Sequence, residues 1–128
     1  MKLDMDLVRK ILIALEENPH GFYNRFLAID GYTQEQIGYH ITLMAEAGLL
    51  VAIDATSMGC DSPVAMPQRL TWQGHQFLDA CRDESRWEKA KDIFRQAGGV
   101  SFEVAKEVLV QLMIRSVTAI ITGGASHS

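Results

Sequence analysis

YHITLMAEAGLL, Tyr39 to Leu50, is the stretch whose reading decides the fold. Ile41 and Met44 stand at helical spacing behind Ile37, and Gly48 is placed as a C-terminal stop. T-Q-E-Q, Thr33 to Gln36, has the form of a capping box in which threonine and glutamine each satisfy the other's backbone amide. LLVAI at 49–53 then has the apolar, branched character of a strand. A capped helix that turns through glycine directly into a strand is the unit from which the rest of the chain is read.

Upstream, Leu7, Val8, Ile11, Leu12 and Leu15 form one helical face, with Asp4 as its cap and Asp6 beside the positive helix end. Asn18–Pro19 should stop that helix, because proline disfavours helical geometry in the residue before it. HGFYNRFLAIDGYT carries Phe26, Leu27 and Ile29 ahead of Asp30–Gly31, read as a short strand ending in a turn. Downstream, DATSMGCDSPVAMP is a loop rich in turn formers, and MPQRLTW is a second strand, so the two strands form a hairpin with an extended tip. From a cap at Thr71, one long helix, or two with a break near Asp83 to Ser85, presents Phe77, Leu78, Cys81, Trp87, Ala90, Phe94 and Ala97 to one side. Gly98–Gly99 ends it. Ser101 caps a last helix, apolar at Val104, Ala105, Val108, Leu109, Leu112, Met113, Val117, Ile120 and Ile121, with Val110, Ile114 and Ala119 off the main face. TGGASHS is expected to fray.

The 128 residues are enough for one core, and a composition about half apolar, with mean hydropathy near zero, excludes a disordered or membrane-spanning chain. The N-terminus lacks the basic start and apolar run of a signal peptide, so a cytoplasmic location is expected. Cys60 and Cys81 have neither a CxxC arrangement nor a histidine at ligand spacing, which gives no framework for a metal, and free thiols are the expectation. Charge is uneven. Residues 1–70 hold five bases and nine acids, residues 71–128 seven of each, and no Lys or Arg stands between Arg25 and Arg69. Asp79, Asp83, Glu84 and Glu88 alternate with Arg82, Arg86, Lys89 and Lys91 as a solvated, paired helix face would.

G-Y-H-I-T-L-M-A-E-A-G-L, residues 38–49, resembles the recognition helix and following strand of winged-helix repressors of the metal-sensing and multidrug-resistance kinds. R-L-T-W-Q-G-H-Q-F-L, residues 69–78, resembles their wing's return strand and next helix. Together with the opening M-K-L-D-M-D-L-V-R-K-I-L, these segments resemble a family of small bacterial and prophage proteins of unknown function over most of residues 1–97. The resemblance implies an α+β, mostly α fold: a winged helix-turn-helix-like domain with a C-terminal helical extension, in a phage or prophage setting. Expected divisions are a winged-helix domain at 1–97 including the long helix after the wing, an apolar helix at 98–121 serving dimerisation, and a disordered tail at 122–128.

Carried onto this chain, the recognition positions are Gln36, Gly38, Tyr39, His40, Thr42 and Leu43. Gln36 offers an amide for adenine, and Thr42 a methyl contact or a phosphate bond. The expected DNA- or partner-binding residues are Gln34, Gln36, Tyr39, His40, Thr42 and Arg69. Against DNA stand Glu35 and Glu46 on the same helix, a loop bearing Asp54 and Asp61 with only Arg69 at its end, and too little chain between Pro19 and Thr33 for the motif's first helix and a strand as well. The bland readings are a hydrogen-bonded His40, structural anchors in Tyr39 and Trp72, and a core Cys81. No nucleophile-and-base arrangement points to an enzyme, and no cofactor is expected.

Two functions follow as expectations. The first is a DNA-binding transcriptional regulator, with duplex DNA as partner, which a positive dimer face formed by Lys2, Arg9, Lys10 and Arg25 would favour and the absence of that face would disfavour. The second is a protein-interaction module, a phage accessory factor that engages a host or phage protein through the winged-helix scaffold without DNA. In both, a homodimer is expected through Val108, Leu109, Leu112, Met113, Val117 and Ile120, and no membrane is involved.

Overall fold

The computed structural model describes residues 1–23, 25–99 and 101–123. Its helices are α1 (Met5–Glu16), α2 (Gln34–Glu46), α3 (Trp72–Cys81), α4 (Glu84–Gln96) and α5 (Phe102–Thr118), the last running into a π-helical turn, Ala119–Gly123. Two strands, β1 (Leu50–Asp54) and β2 (Ala65–Leu70), form an antiparallel pair between α2 and α3 in sequence. The fold is therefore α+β and mostly helical. Contacts divide it into two units, Met1–Leu78 and Asp79–Ser128, with the division inside α3.

In the first unit, α1 begins where the Asp4 carboxylate accepts the amide of Leu7, and it buries Leu7, Val8, Ile11, Leu12 and Leu15. The expected capping box starts α2, with Thr33 and Gln36 exchanging side-chain and backbone bonds. Its end is a Schellman turn: Gly48, at φ +79°, donates to Ala45 O, and Leu49 donates to Met44 O. That left-handed residue turns the chain straight into β1. The helices α1 and α2 pack on each other, both reach β2, and α2 also lies on β1.

The hairpin pairs Leu50 with Leu70 and Asp54 with Ala65, with an irregularity between Val51 and Ala52 where Gln68 is the additional residue. Pro67 stands beside it and lacks an N–H, and a bulge is a place where a strand tolerates that loss. The Tyr23 amide donates to the Gln68 carbonyl at 2.6 Å.

The short strand expected around Phe26 to Ile29 is not formed; among the described residues, 17–33 contain neither helix nor strand. Side chains take the place of a ladder there. Asn18 Nδ2 donates to the carbonyls of His20 and Phe22, and Gln34 Nε2 donates to Leu27 O. Tyr23 and Leu27 are buried, and Phe26 is exposed. The Asp30–Gly31 turn does form, with Gly31 at φ +88°.

Helix α3 is seated on the turn between α2 and β1. Thr71 Oγ1 caps it by accepting the Gly74 amide and donates to Gly48 O, while the Thr71 amide donates to Leu49 O at 3.0 Å. A Cβ on Gly74 would stand 1.9 Å from Leu49 O, so only glycine allows this approach.

The long stretch after the hairpin is two helices. Asp83 caps α4 through the Arg86 amide, and the Arg86 guanidinium reaches back to the carbonyls of Ala80 and Asp79 at the end of α3. In the second unit α4 packs on α5. Trp87, Ala90 and Phe94 are buried, with Trp87 and Phe94 edge to face, whereas Ala97, expected on that face, is exposed. Ser101 caps α5, as its position predicts. Thr122 and Gly123, expected in a frayed tail, belong to the π-helical turn, and residues 124–128 lie outside the described residues. Among the described residues, no helix is long and apolar enough to cross a membrane.

Candidate interaction site

Building α2 fixes most of the polar side chains that its sequence offers to a partner. Gln36 Oε1 accepts the Thr33 amide at 2.8 Å as its half of the capping box. Gln34 is held by Leu27 O, and the Thr42 hydroxyl donates to Gly38 O one turn back. His40 is buried at 1 % exposure on the side of α1, where Nε2 accepts the Asp4 amide and Nδ1 bonds Gln36 O, both at 2.8 Å. An Nε2 that accepts carries no proton, so the donor is Nδ1. His40 is therefore a link between two helix N-termini, out of reach of an external ligand. Tyr39, half-buried, stands edge-on to its ring at 5.9 Å. Arg69 is exposed and donates to Leu70 O.

The opposite flank of α2 faces the hairpin loop, and there a cavity is found. The ladder is carried one step past the strands by Ala55 N to Val64 O, and then by the Thr56 hydroxyl, which accepts the Val64 amide at 2.9 Å. Beyond it the tip turns at Gly59, φ +91°, with Met58 fully exposed. The returning arm lies down on α2. A Cβ at Gly38 would meet Pro63 O at 2.7 Å, and the Ser62 hydroxyl donates to Glu35 Oε2 at 3.3 Å.

Two hollows flank this contact. The larger, about 500 Å³, runs between Thr42, Ala45 and Glu46 of α2, Ala52 and Asp54 of β1, and Thr56, Cys60 and Asp61 of the loop. The smaller, about 240 Å³, opens between Phe26, Leu27, Gln34 and Glu35 and the same arm of the loop. Apolar atoms form most of both walls, and the charged groups are Glu35, Glu46, Asp54 and Asp61. The hydroxyl of Thr56, and then its amide, hold the Asp54 carboxyl below its usual range. The Ser57 hydroxyl beside Cys60, with Sγ at 3.4 Å, lowers that exposed thiol, assisted by the Ser57 amide and opposed by Asp61.

Of the cations named for a positive face, Lys10 Nζ lies 5.5 Å over the Tyr32 ring and Arg25 lies 4.7 Å over Tyr23. Both are engaged with their own chain's aromatics. Among the described residues, no group of three His, Cys, Asp or Glu side chains is arranged to hold a metal.

The expected dimerisation residues are divided by the structure. Leu109 is fully buried within the chain, Val108, Leu112 and Met113 are half-buried, and Val117 and Ile120 are exposed. Ile114 and Ile121 are also exposed. These uncovered apolar residues are thus gathered in the C-terminal half of α5 and the turn that follows it.

Sequence reasoning set its candidates on the polar residues of α2 and did not include the groove beside them. One signal was available: Gly38 in a helix interior costs about 1 kcal/mol relative to alanine, which marks a position where something comes close.

The model of the family described as "Hypothetical protein (DUF2513)" matches residues 2–101, ending at the residue that caps α5. An uncharacterised protein of Haemophilus influenzae (strain Rd) is 36 % identical over 112 residues, spanning 84 % of this chain and 92 % of that protein. No solved structure matches.

Proposed function

We propose, from the premise that this chain belongs to the DUF2513 family of hypothetical proteins, that it is a non-enzymatic protein-binding module of the cytoplasm built on a winged-helix-like scaffold. Its α2–hairpin groove holds a Lys- or Arg-bearing, partly apolar segment of a partner protein. The scaffold reading is supported by the order helix, helix, strand, loop, strand, helix, together with the resemblance of residues 38–49 and 69–78 to winged-helix repressors. The phage or prophage setting that the resemblance implies makes an accessory factor, acting on a host or phage protein, the form this function takes.

One observation carries the choice of protein over DNA. At Gly38, one of the positions a recognition helix would turn to the groove of a duplex, the loop arm closes on α2, and around it stand Glu35, Glu46, Asp54 and Asp61. No Lys or Arg occurs from 26 to 68 to offset them. Affinity for a phosphate backbone comes mainly from cations that displace counterions, and here carboxylates would meet the phosphates instead. The motif's other half is missing as well, because 17–33 supply no described helix to cross the backbone. A cationic side chain entering a mostly apolar groove gains both burial of its stem and pairing at the rim.

The test is fluorescence anisotropy with two labelled probes at about 50 and 200 mM salt: a mixed-sequence duplex, and a peptide of arginines and lysines with interspersed leucines. The peptide should bind at the lower salt and lose binding in the variant E46K/D61K, and the duplex should bind neither protein. Salt-sensitive duplex binding that survives E46K/D61K would overturn the proposal and restore the regulator reading.

A further inference from the structure

We infer that the C-terminal half of α5, with the π-helical turn that follows it, is a docking face for a second copy of this chain, paired antiparallel about a two-fold axis near residues 115 and 116. This lies in the second unit and stands or falls independently of the groove.

The face is defined by what the fold leaves bare. Leu109 and Ala105 are fully buried, whereas Ile114 and Val117 are about half exposed, at 50 % and 46 %, and Ile120 and Ile121 are each 73 % exposed. Val110, Ile114 and Val117 follow one another within α5 at intervals of four and three, the spacing at which side chains form a continuous seam for another helix, and Ile121 follows them in the π-helical turn. All four are β-branched. Toward the other end of α5 the same spacing is continued by carboxylates, Glu103 and Glu107. The apolar seam is thus confined to one half of the helix and the charge to the other.

That division selects the occupant and its direction. In a parallel pair, each residue meets its own counterpart, and Glu103 and Glu107 would stack on the same carboxylates of the partner. In an antiparallel pair, Ile114 meets Val117 of the second copy, Val110 meets Ile121, and the two-fold repeats both layers. The acidic ends then point away from each other, and the helix dipoles oppose favourably. The chain is self-complementary in this direction alone. A seam of 12 residues is about 18 Å long, which is short for a protein interface, so the association is expected in the micromolar range or weaker.

Sedimentation of the full chain between about 10 and 500 µM should show a reversible monomer–dimer equilibrium. I114E and V117K, each at a half-exposed position, should shift it at least tenfold toward monomer with unchanged helical circular dichroism. Mixing the two variants should restore dimers, because an antiparallel pair places the new glutamate against the new lysine and leaves Val117 against Ile114 in the other layer. A monomer at every concentration would overturn the inference, as would a dimer indifferent to I114E and V117K. Variants that dissociate singly and fail to pair when mixed would refute the antiparallel arrangement. A Val110→Ala variant, which adds no charge, should weaken the dimer moderately; no change in its dissociation constant would also count against the seam.

Discussion

Replacing Gly74 by alanine tests how α3 is held to the rest of the first unit. The new Cβ would stand 1.9 Å from the Leu49 carbonyl oxygen, against the 3.0 Å that real contacts respect, so the helix or the carbonyl must retreat by about 1.1 Å. The carbonyl is poorly placed to do so. It accepts the Thr71 amide at 3.0 Å, and its own residue's amide closes the Schellman turn of α2 on Met44. Alanine in place of glycine returns at most about 1 kcal/mol of propensity, the figure for a helix interior, and Gly74 lies in the first turn. Overpacking against fixed backbone costs about 1–3 kcal/mol, and losing the Thr71–Leu49 bond costs about 0.5–1.5 kcal/mol more. The clash wins, leaving a net loss of roughly 1–3 kcal/mol. With a urea slope of about 1–3 kcal/mol per molar, the unfolding midpoint followed by far-ultraviolet circular dichroism should fall by about 1 M at unchanged slope. A midpoint equal to or above that of the parent protein would refute the close approach of α3 to Leu49.

Gly38→Ala meets a weaker obstacle, the Pro63 carbonyl on a loop that can lift, so stability should change by less than about 1 kcal/mol while the amide resonances of Ser62 and Val64 move; a static loop would contradict its seat on α2. His40→Ala should destabilise by about 2–4 kcal/mol, since it opens a cavity and strips the Asp4 amide of its acceptor; thermal unfolding unchanged from the parent would mean an exposed ring. Cys60 should alkylate with iodoacetamide from a lower pH than it does in Ser57→Ala, because the lowered thiol pKa puts more thiolate at any pH below it. Coincident rate–pH profiles for the two proteins would show that Ser57 has no hold on the thiol.

Helix ends were the most legible feature of the sequence, because each depends on a few local residues. Asp4, Thr33, Thr71 and Ser101 all accept the amide they are spaced to reach, while Asp83, read only as near a possible break, caps α4. The hairpin was legible from its branched residues and the turn formers between them. The segment 17–33 was not, because its apolar residues resemble a strand while Asn18 and Gln34 satisfy its carbonyls from a distance in sequence that periodicity does not sample. The surroundings of the candidate residues on α2 were only partly legible, for a related reason. The capping role of Gln36 and a hydrogen-bonded His40 were readable, but the partner of His40 on α1, and the bond of Thr42 to Gly38 one turn back, needed the three-dimensional arrangement. The groove proposed above as the binding site is built from residues far apart in sequence, Glu46 and Asp61 among them, that a loop folding back brings together.

The bulge at Gln68 limits how this protein can be engaged. An exposed sheet edge ordinarily invites an incoming strand, which zips on through main-chain bonds with little regard for sequence. Pro67 has no amide to offer such a strand, and the carbonyl of Gln68 is already taken by Tyr23. That edge of the hairpin is therefore blunted, both against β-augmentation by a partner and against edge-to-edge aggregation of copies with one another. A partner drawn to that edge is left with side chains to read, which makes its recognition there depend on its sequence.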